Sequence, residues 1–132
     1  MGPYAEANAQ LMHELFAALA ARDRGAIASR LAADVVWATP GRSPLAGEQH
    51  GAEGVIAQLA GATELSGGTL AIDVLDIMAS DDHATVYYRT TAERNGQRAT
   101  LEQIALVTIV ANQVTHVQQA PLDLYAYDAF WS

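Results

Sequence analysis

The sequence predicts an α+β domain in which helices come first along the chain and an antiparallel sheet follows. In the first half, apolar residues recur at three- and four-residue spacing, which is typical of amphipathic helices. From residue 69 onward, short apolar and β-branched segments alternate with turn signals, which is typical of a β-meander. When the helices and the strands occupy separate parts of the chain, the helices pack on one face of the sheet.

Three helices are expected in the first half. Residues 6–21 place five apolar side chains on one helical face, namely Leu11, Met12, Leu15, Phe16 and Leu19. Asp23 is a good N-cap for a second helix over residues 24–34. Helical spacing returns in residues 52–63 and ends before Gly67-Gly68, which predicts the third helix.

Strands are expected between and after these helices. Residues 35–37, which read VVW, suit a short strand, and the proline- and glycine-rich residues 40–51 suit a loop. Four further segments, TLAIDVLDIMA, ATVYYRTTAER, RATLEQIALVTIV and QVTHVQQA, are separated by the turn signals SDDH, Asn95-Gly96 and Ala111-Asn112. Residues 1–132 therefore form a single predicted domain.

Composition excludes several classes of function. The chain has 132 residues with 15 acidic and 7 basic side chains, a net charge of −8, and no cysteine. This charge balance argues against nucleic-acid binding, which depends on neutralising phosphates. The absence of cysteine excludes disulfides and thiolate catalysis. No apolar run is long enough to span a membrane and no secretory leader is recognisable, so we expect a cytoplasmic protein.

The Asn95-Gly96 turn predicts which face of the sheet is buried. A two-residue loop there pairs Arg89 with Glu102 and Glu93 with Arg98, which suits a solvated face. The opposite face is apolar except for Tyr88 and Gln103, which stand directly across from each other. Buried polar side chains need partners. Either they bond each other in a closed core, or, as we favour, they line a pocket.

The register of the last strand leaves two alternatives. A two-residue turn at Ala111-Asn112 directs Val114, His116 and Gln118 inward. A three-residue bulged loop directs Thr115, Val117 and Gln119 inward instead. We favour the first, which adds an imidazole to the inner face.

Several segments together resemble the SnoaL-like branch of the nuclear transport factor 2-like superfamily. They are RDRGAIASRLAADVVW, PGRSPLAGEQHG, the third helix, the four-strand meander and the closing APLDLYAYDAFWS. The resemblance covers nearly the whole chain. It implies a cone-shaped, curved antiparallel sheet closed by three N-terminal helices around one apolar pocket, and it also implies dimerisation.

The resemblance bears on activity as well, although one fold supports many activities. Cyclases of this branch use one acidic residue just past the final strand, and here Asp123 stands near that place. Ketosteroid isomerases carry an Asp immediately before the proline that ends the first strand, where this chain has Thr39. Their second acid falls at or beside Gln103. Steroid isomerisation is therefore not expected, and the Asp–Arg–Asp set of the epoxide hydrolases has no counterpart.

We predict a small cofactor-free cyclase acting on a polyketide-like carbonyl compound. Asp123 and His116 are the predicted catalytic residues. The predicted substrate-binding residues are Tyr88, Gln103 and Gln118 on the inner face, and Trp37, which ends a strand where the resemblance implies a pocket residue. No metal site is expected, because no two histidines have chelating spacing. The alternative is a non-catalytic protein that binds or sequesters a small hydrophobic molecule in the same pocket.

A homodimer is also expected. The outer face of the predicted sheet carries Tyr87, Ile104, Leu106 and Val110 together with its charges. Such an apolar surface suits a partner better than open water.

Overall fold

The computed structural model describes residues 2–132 and shows four helices and one six-stranded sheet. In chain order the elements are α1 Ala5–Ala21, α2 Arg24–Arg30, β1 Leu31–Thr39, β2 Gly47–His50, α3 Gly51–Leu65, β3 Ala71–Ala79, β4 His83–Arg94, β5 Gln97–Val110, β6 Gln113–Pro121 and α4 Leu124–Trp131. The sheet order is β2-β1-β6-β5-β4-β3. The predicted α+β fold is confirmed.

The structure departs from the prediction in one strand pairing and in two additional elements, a strand and a helix. Because β1 runs parallel to β6, the sheet is mixed rather than wholly antiparallel. Strand β2 forms inside the predicted loop and pairs with β1. Helix α4 was not predicted, and it follows β6 directly. The curved sheet does not close on itself, so helices cover its open inner face.

The boundary between α2 and β1 shows how strand pairing limits a helix. The Asp23 carboxylate accepts a hydrogen bond from the Ala26 amide at 3.2 Å, which confirms the predicted N-cap. The helix ends at Arg30, four residues before the predicted end, because Leu31 is extended and pairs with Val114 of β6. Strand pairing therefore places residues 31–34 in β1, although their sequence also suits a helix.

The β4–β5 hairpin has the predicted register. Tyr88 pairs with Gln103, and Arg89 pairs with Glu102. Asn95 and Gly96 both have positive φ, at 54° and 77°, as a two-residue type I′ turn requires. Tyr88 and Gln103 are 4% and 2% exposed. The inner face of this hairpin is therefore the buried one.

The last strand has the predicted turn but not the predicted orientation. Ala111 and Asn112 form a two-residue loop, and Ile109 pairs with Val114. The next pair is Thr108 with His116, so Thr115 is an extra residue in a β-bulge.

This bulge reverses the alternation of β6 after Val114, since a one-residue shift moves every following side chain to the other face. Val117 and Gln119 are buried, His116 is exposed and Gln118 is half-buried. The prediction that His116 and Gln118 face inward is therefore wrong.

The core lies between the inner face of the sheet and α1. The predicted apolar stripe of α1 is buried as a whole. Phe16 of this stripe contacts Tyr88 with ring centroids 5.0 Å apart. A second apolar cluster lies at the other end, where Tyr127 and Trp131 of α4 pack against Ala62 and Leu70. Helix α4 thus covers the end of the sheet that α1 leaves open.

The Ala111 position offers a test of the β5–β6 turn. Ala111 is exposed and has a φ of 50°, a left-handed conformation that costs an alanine more than an asparagine. We expect Ala111→Asn to raise the free energy of unfolding by about 0.5–1 kcal/mol, measured by urea denaturation. At Ala57, exposed on α3, the same change should instead lower it by roughly 0.5 kcal/mol. Effects of the same sign at both positions would contradict this assignment of the turn.

Candidate functional site

A cavity of about 80 Å³ lies between the inner face of the sheet and helices α1, α3 and α4. Its wall is mostly aliphatic and aromatic. The polar part of the wall comes from strands β1, β4, β5 and β6 and from Gln58 of α3. A volume of this size holds about three waters at liquid density, or one small apolar molecule. The cavity is therefore the candidate binding site.

The side-chain amide of Gln119 is the centre of the polar wall. Its Oε1 accepts hydrogen bonds from the Trp37 indole N–H at 3.0 Å and from the Thr39 hydroxyl at 2.7 Å. Its Nε2 donates to the Tyr88 hydroxyl at 2.6 Å and to Gln103 Oε1 at 2.7 Å. One amide therefore joins β6 to the three other strands of the wall.

The strand registers bring these side chains together. Trp37 of β1 pairs in parallel with Val117 of β6, so Thr39 and Gln119, two residues further along each strand, lie side by side. On the other edge of β6, Ala105 of β5 pairs with Gln119, which places Gln103 diagonally across from it. The bulge at Thr115 is what directs Gln119 to this face.

Donor and acceptor chemistry fixes the direction of each amide in the network. An indole N–H can only donate, so the Gln119 oxygen must face Trp37 and its nitrogen must face Gln103. Gln103 then presents its oxygen to Gln119 and donates from Nε2 to the Thr90 hydroxyl at 2.9 Å. The Tyr88 hydroxyl also donates to Gln103 Oε1, at 3.2 Å. Tyr88 and Gln103 thus bond each other and still line the cavity.

Gln58 connects the network to helix α3. Its Nε2 donates to the Thr39 hydroxyl at 2.9 Å and to the Leu45 carbonyl at 2.7 Å. The same side chain therefore holds α3, β1 and the loop after β1 in fixed positions around the cavity.

The cavity wall is electrically neutral near pH 7. Among residues 2–132, no Asp, Glu, His or Arg side chain lines it. Burial raises the pKa of Tyr127 to about 12, and it also raises the pKa of Tyr88. Both phenols therefore stay protonated and can act as hydrogen-bond donors.

The predicted site residues fall into two groups. Trp37, Tyr88 and Gln103 line the cavity and share the Gln119 network. Asp123 and His116 are exposed and do not line it.

The three predicted site residues outside the cavity have other surroundings. The Asp123 carboxylate caps α4 by accepting from the Ala126 amide at 3.0 Å. His116 lies on the outer face of the sheet, opposite Thr108. Gln118, also off the cavity wall, donates to the carbonyl of Gln119 at 2.9 Å. The catalytic roles of Asp123 and His116 stay predictions.

Other residues of the site lie outside the set of predicted substrate-binding residues. Gln119 was expected to face inward only in the alternative register of β6. No feature of the sequence indicated that the Gln58 side chain lines the cavity. Trp131 and Tyr127 line the cavity from α4. The capping residue Asp123 before LYAYDAFW is the one local signal for that helix.

Two surveys of residues 2–132 bear on other kinds of site. No group of three or more His, Cys, Asp or Glu side chains in this range could hold a metal ion. Over the same range, no helix is both long enough and apolar enough to cross a membrane.

Comparison with known proteins identifies similar chains. A family model described as SnoaL-like domain matches residues 12–117. The structure of Bal32a from a soil-derived mobile gene cassette is 32% identical, with a TM-score of 0.92 over 97% of this chain and 98% of that one. An NTF2-like protein from Burkholderia xenovorans LB400 shares the fold at 22% identity, with a TM-score of 0.84 over 99% of this chain and 100% of that one. An uncharacterized protein of Mycobacterium tuberculosis is 28% identical over 128 residues, 96% of this chain and 98% of the relative.

Adjacent glutamines allow the network to be tested. Gln119→Leu keeps the side chain's size but removes four hydrogen bonds and leaves their buried partners unpaired. We expect it to lower the free energy of unfolding by about 2–4 kcal/mol in urea denaturation. Gln118→Leu, the matched change outside the cavity, should stay within about 0.5 kcal/mol of the unsubstituted protein. Equal losses in the two variants would contradict the central role of Gln119.

Proposed function

The chain belongs to the SnoaL-like domain family, and we propose that it binds an uncharged, largely apolar small molecule in its cavity. The observation that carries this proposal is the absence of any ionised side chain from the cavity wall formed by residues 2–132. A charged occupant would lose its hydration and find no opposite charge there. An uncharged, apolar occupant loses little hydration free energy when it enters an apolar cavity.

The size of the cavity and the state of its network narrow the occupant further. At about 80 Å³, the cavity is smaller than the ~300–1,000 Å³ of pockets for drug-sized ligands. The hydrogen bonds of the Gln119 side-chain amide are already formed within the protein, so the polar wall keeps its shape without a ligand. These features favour a compact molecule, no larger than one small ring, held mainly by apolar contact.

Cyclisation of a polyketide-like carbonyl compound is the second candidate. It is favoured by the position of Asp123 immediately before α4, the helix that covers the cavity. To act as a general acid or base, the Asp123 carboxylate must release the Ala126 amide and turn toward the cavity. If the cavity only holds the substrate in a conformation that cyclises, no carboxylate is required, and the same wall residues suffice.

Xenon, a neutral apolar atom that enters dry apolar cavities, is a suitable probe of the first candidate. We expect it to bind with affinities that agree within about twofold at pH 5, 7 and 9, since no side chain of the wall has a pKa in that range. The affinities are measured by protein-observed NMR titration. Ala62→Leu, which fills the cavity, should weaken binding at least roughly tenfold, whereas Ala57→Leu on the exposed face of α3 should leave it unchanged.

Two outcomes contradict this proposal. One is the absence of any xenon binding. The other is a pH dependence that disappears in Asp123→Asn. That variant keeps the helix cap, because asparagine caps as well as aspartate, but it cannot exchange a proton. Such a result would favour the cyclase candidate.

The homodimer proposal rests on the outer face of the sheet. Met78, Leu106 and Val110 lie on this face and are 55%, 52% and 59% exposed. Met78 and Leu106 both pair with Thr85 of the strand between them, so they form one row across the sheet, and Tyr87 and Ile104 form the next row. We propose that a second copy of the chain covers this apolar surface.

The dimer proposal is tested at the centre of this surface. Leu106→Arg should convert a dimer into a monomer at micromolar concentration, measured by light scattering, because it buries an unpaired charge in the interface. Leu122→Arg, at an equally exposed leucine beyond β6, should leave the dimer intact. A monomeric unsubstituted protein would refute the dimer.

A further inference from the structure

The polar groups of the cavity wall differ in whether the protein itself supplies their partners. The Trp37 indole N–H donates to Gln119 Oε1. The Tyr88 hydroxyl donates to Gln103 Oε1. The hydroxyl of Tyr127, which also lines the cavity, has no hydrogen-bond partner among residues 2–132. The Tyr127 phenol therefore keeps its full capacity to form hydrogen bonds.

The Tyr127 side chain extends from α4 toward the sheet. Tyr127 and Trp131 stand one helical turn apart, and both line the cavity. Tyr127 is 3% exposed and belongs to the same apolar cluster as Ala92, which lies on the inner face of β4. Because the hydroxyl is the end of the side chain farthest from the helix backbone, this packing directs it away from the outer surface.

Two further observations place the Tyr127 hydroxyl at the cavity. The Trp131 indole N–H is fully buried without a partner, whereas the Tyr127 oxygen, also without a partner, keeps some accessible surface. Burial raises the pKa of Tyr88, and the Tyr127 phenol raises it further, which requires the two hydroxyls to be close. Tyr88 belongs to the polar wall of the sheet, so the Tyr127 hydroxyl faces that wall.

The unused capacity of the polar wall is for donation rather than acceptance at the amides. The Thr90 hydroxyl accepts from Gln103 Nε2 at 2.9 Å, but its own hydrogen has no acceptor among residues 2–132. The side-chain oxygens of Gln103 and Gln119 each accept two hydrogen bonds already, which uses both lone pairs. An unpaired buried donor costs free energy. An occupant that accepts a hydrogen bond therefore suits this wall better than one that brings a donor of its own.

We propose that Tyr127 is a specificity-determining residue whose hydroxyl donates a hydrogen bond to an uncharged oxygen acceptor, an ether or a carbonyl, on the occupant of the cavity. This assignment rests on the proposed function as a small-molecule binder. An anionic acceptor is disfavoured because no cation lines the wall formed by residues 2–132. The apolar wall selects for size, and Tyr127 selects between molecules of equal size.

The preference is tested with oxetane and cyclobutane, two small rings of nearly the same shape that differ by one acceptor oxygen. The ratio of the cyclobutane Kd to the oxetane Kd, from NMR titration, should be roughly three- to tenfold larger in the unsubstituted protein than in Tyr127→Phe. Comparing ratios cancels the difference in hydration of the two probes and any general change of packing in the variant. Tyr125→Phe, which removes a hydroxyl from a 92% exposed residue of the same helix, should keep the unsubstituted ratio.

A direct readout uses the ¹³C signal of tyrosine Cζ, which moves downfield when the phenol donates a hydrogen bond. The chain has five tyrosines, so the spectrum is simple. In the unsubstituted protein, oxetane should move the Tyr127 signal downfield and cyclobutane should not. The Tyr88 signal should not respond in this way, because its hydroxyl already donates to Gln103. Through-bond correlation assigns the signals even where Tyr127→Phe fails to fold.

Each other outcome has a separate meaning. If cyclobutane binds, equal Kd ratios in Tyr127→Phe and the unsubstituted protein, or a Tyr127 signal that oxetane leaves in place, overturn the role of Tyr127 and leave the proposed function standing. If xenon, cyclobutane and oxetane all fail to bind, the proposed function fails and the role of Tyr127 fails with it.

Discussion

The side-chain amide of Gln119 uses all four of its hydrogen-bonding positions inside the cavity, and the geometry of the site depends on it. It accepts from Trp37 and Thr39 and donates to Tyr88 and Gln103. Because these partners come from three neighbouring strands, any shift of one strand breaks bonds to the others. Buried networks of this kind are costly when partly satisfied, so the arrangement specifies one register of the sheet.

The sequence predicts one half of this site well and the other half poorly, for a local reason. The Asn95-Gly96 turn fixes the β4–β5 register and so places Tyr88 and Gln103 correctly. In β6 the turn is also read correctly, but a bulge at Thr115 reverses the alternation beyond it. Both alternations in QVTHVQQA contain a valine and a glutamine, so the pattern alone cannot reveal the bulge.

The contrast between Asp123 and Gln119 shows why residue type is a weak guide to role. An acidic residue beyond the last strand suits catalysis by resemblance, but the same residue before LYAYDAFW also suits a helix cap. In the structure the exposed Asp123 carboxylate caps α4 and does not line the cavity. Gln119, a neutral amide with no obvious signal, organises the cavity.

The two ends of the cavity therefore contribute differently to recognition. At the sheet end, the amide network around Gln119 is saturated without a ligand, so it supplies a rigid wall whose amide oxygens have no remaining hydrogen-bond capacity. At the α4 end, Tyr127 and Trp131 form the wall, and the Trp131 indole N–H is buried with no hydrogen-bond partner among residues 2–132. The size and shape of the molecule that fits therefore depend both on the rigid wall of the sheet and on the packing of one short helix.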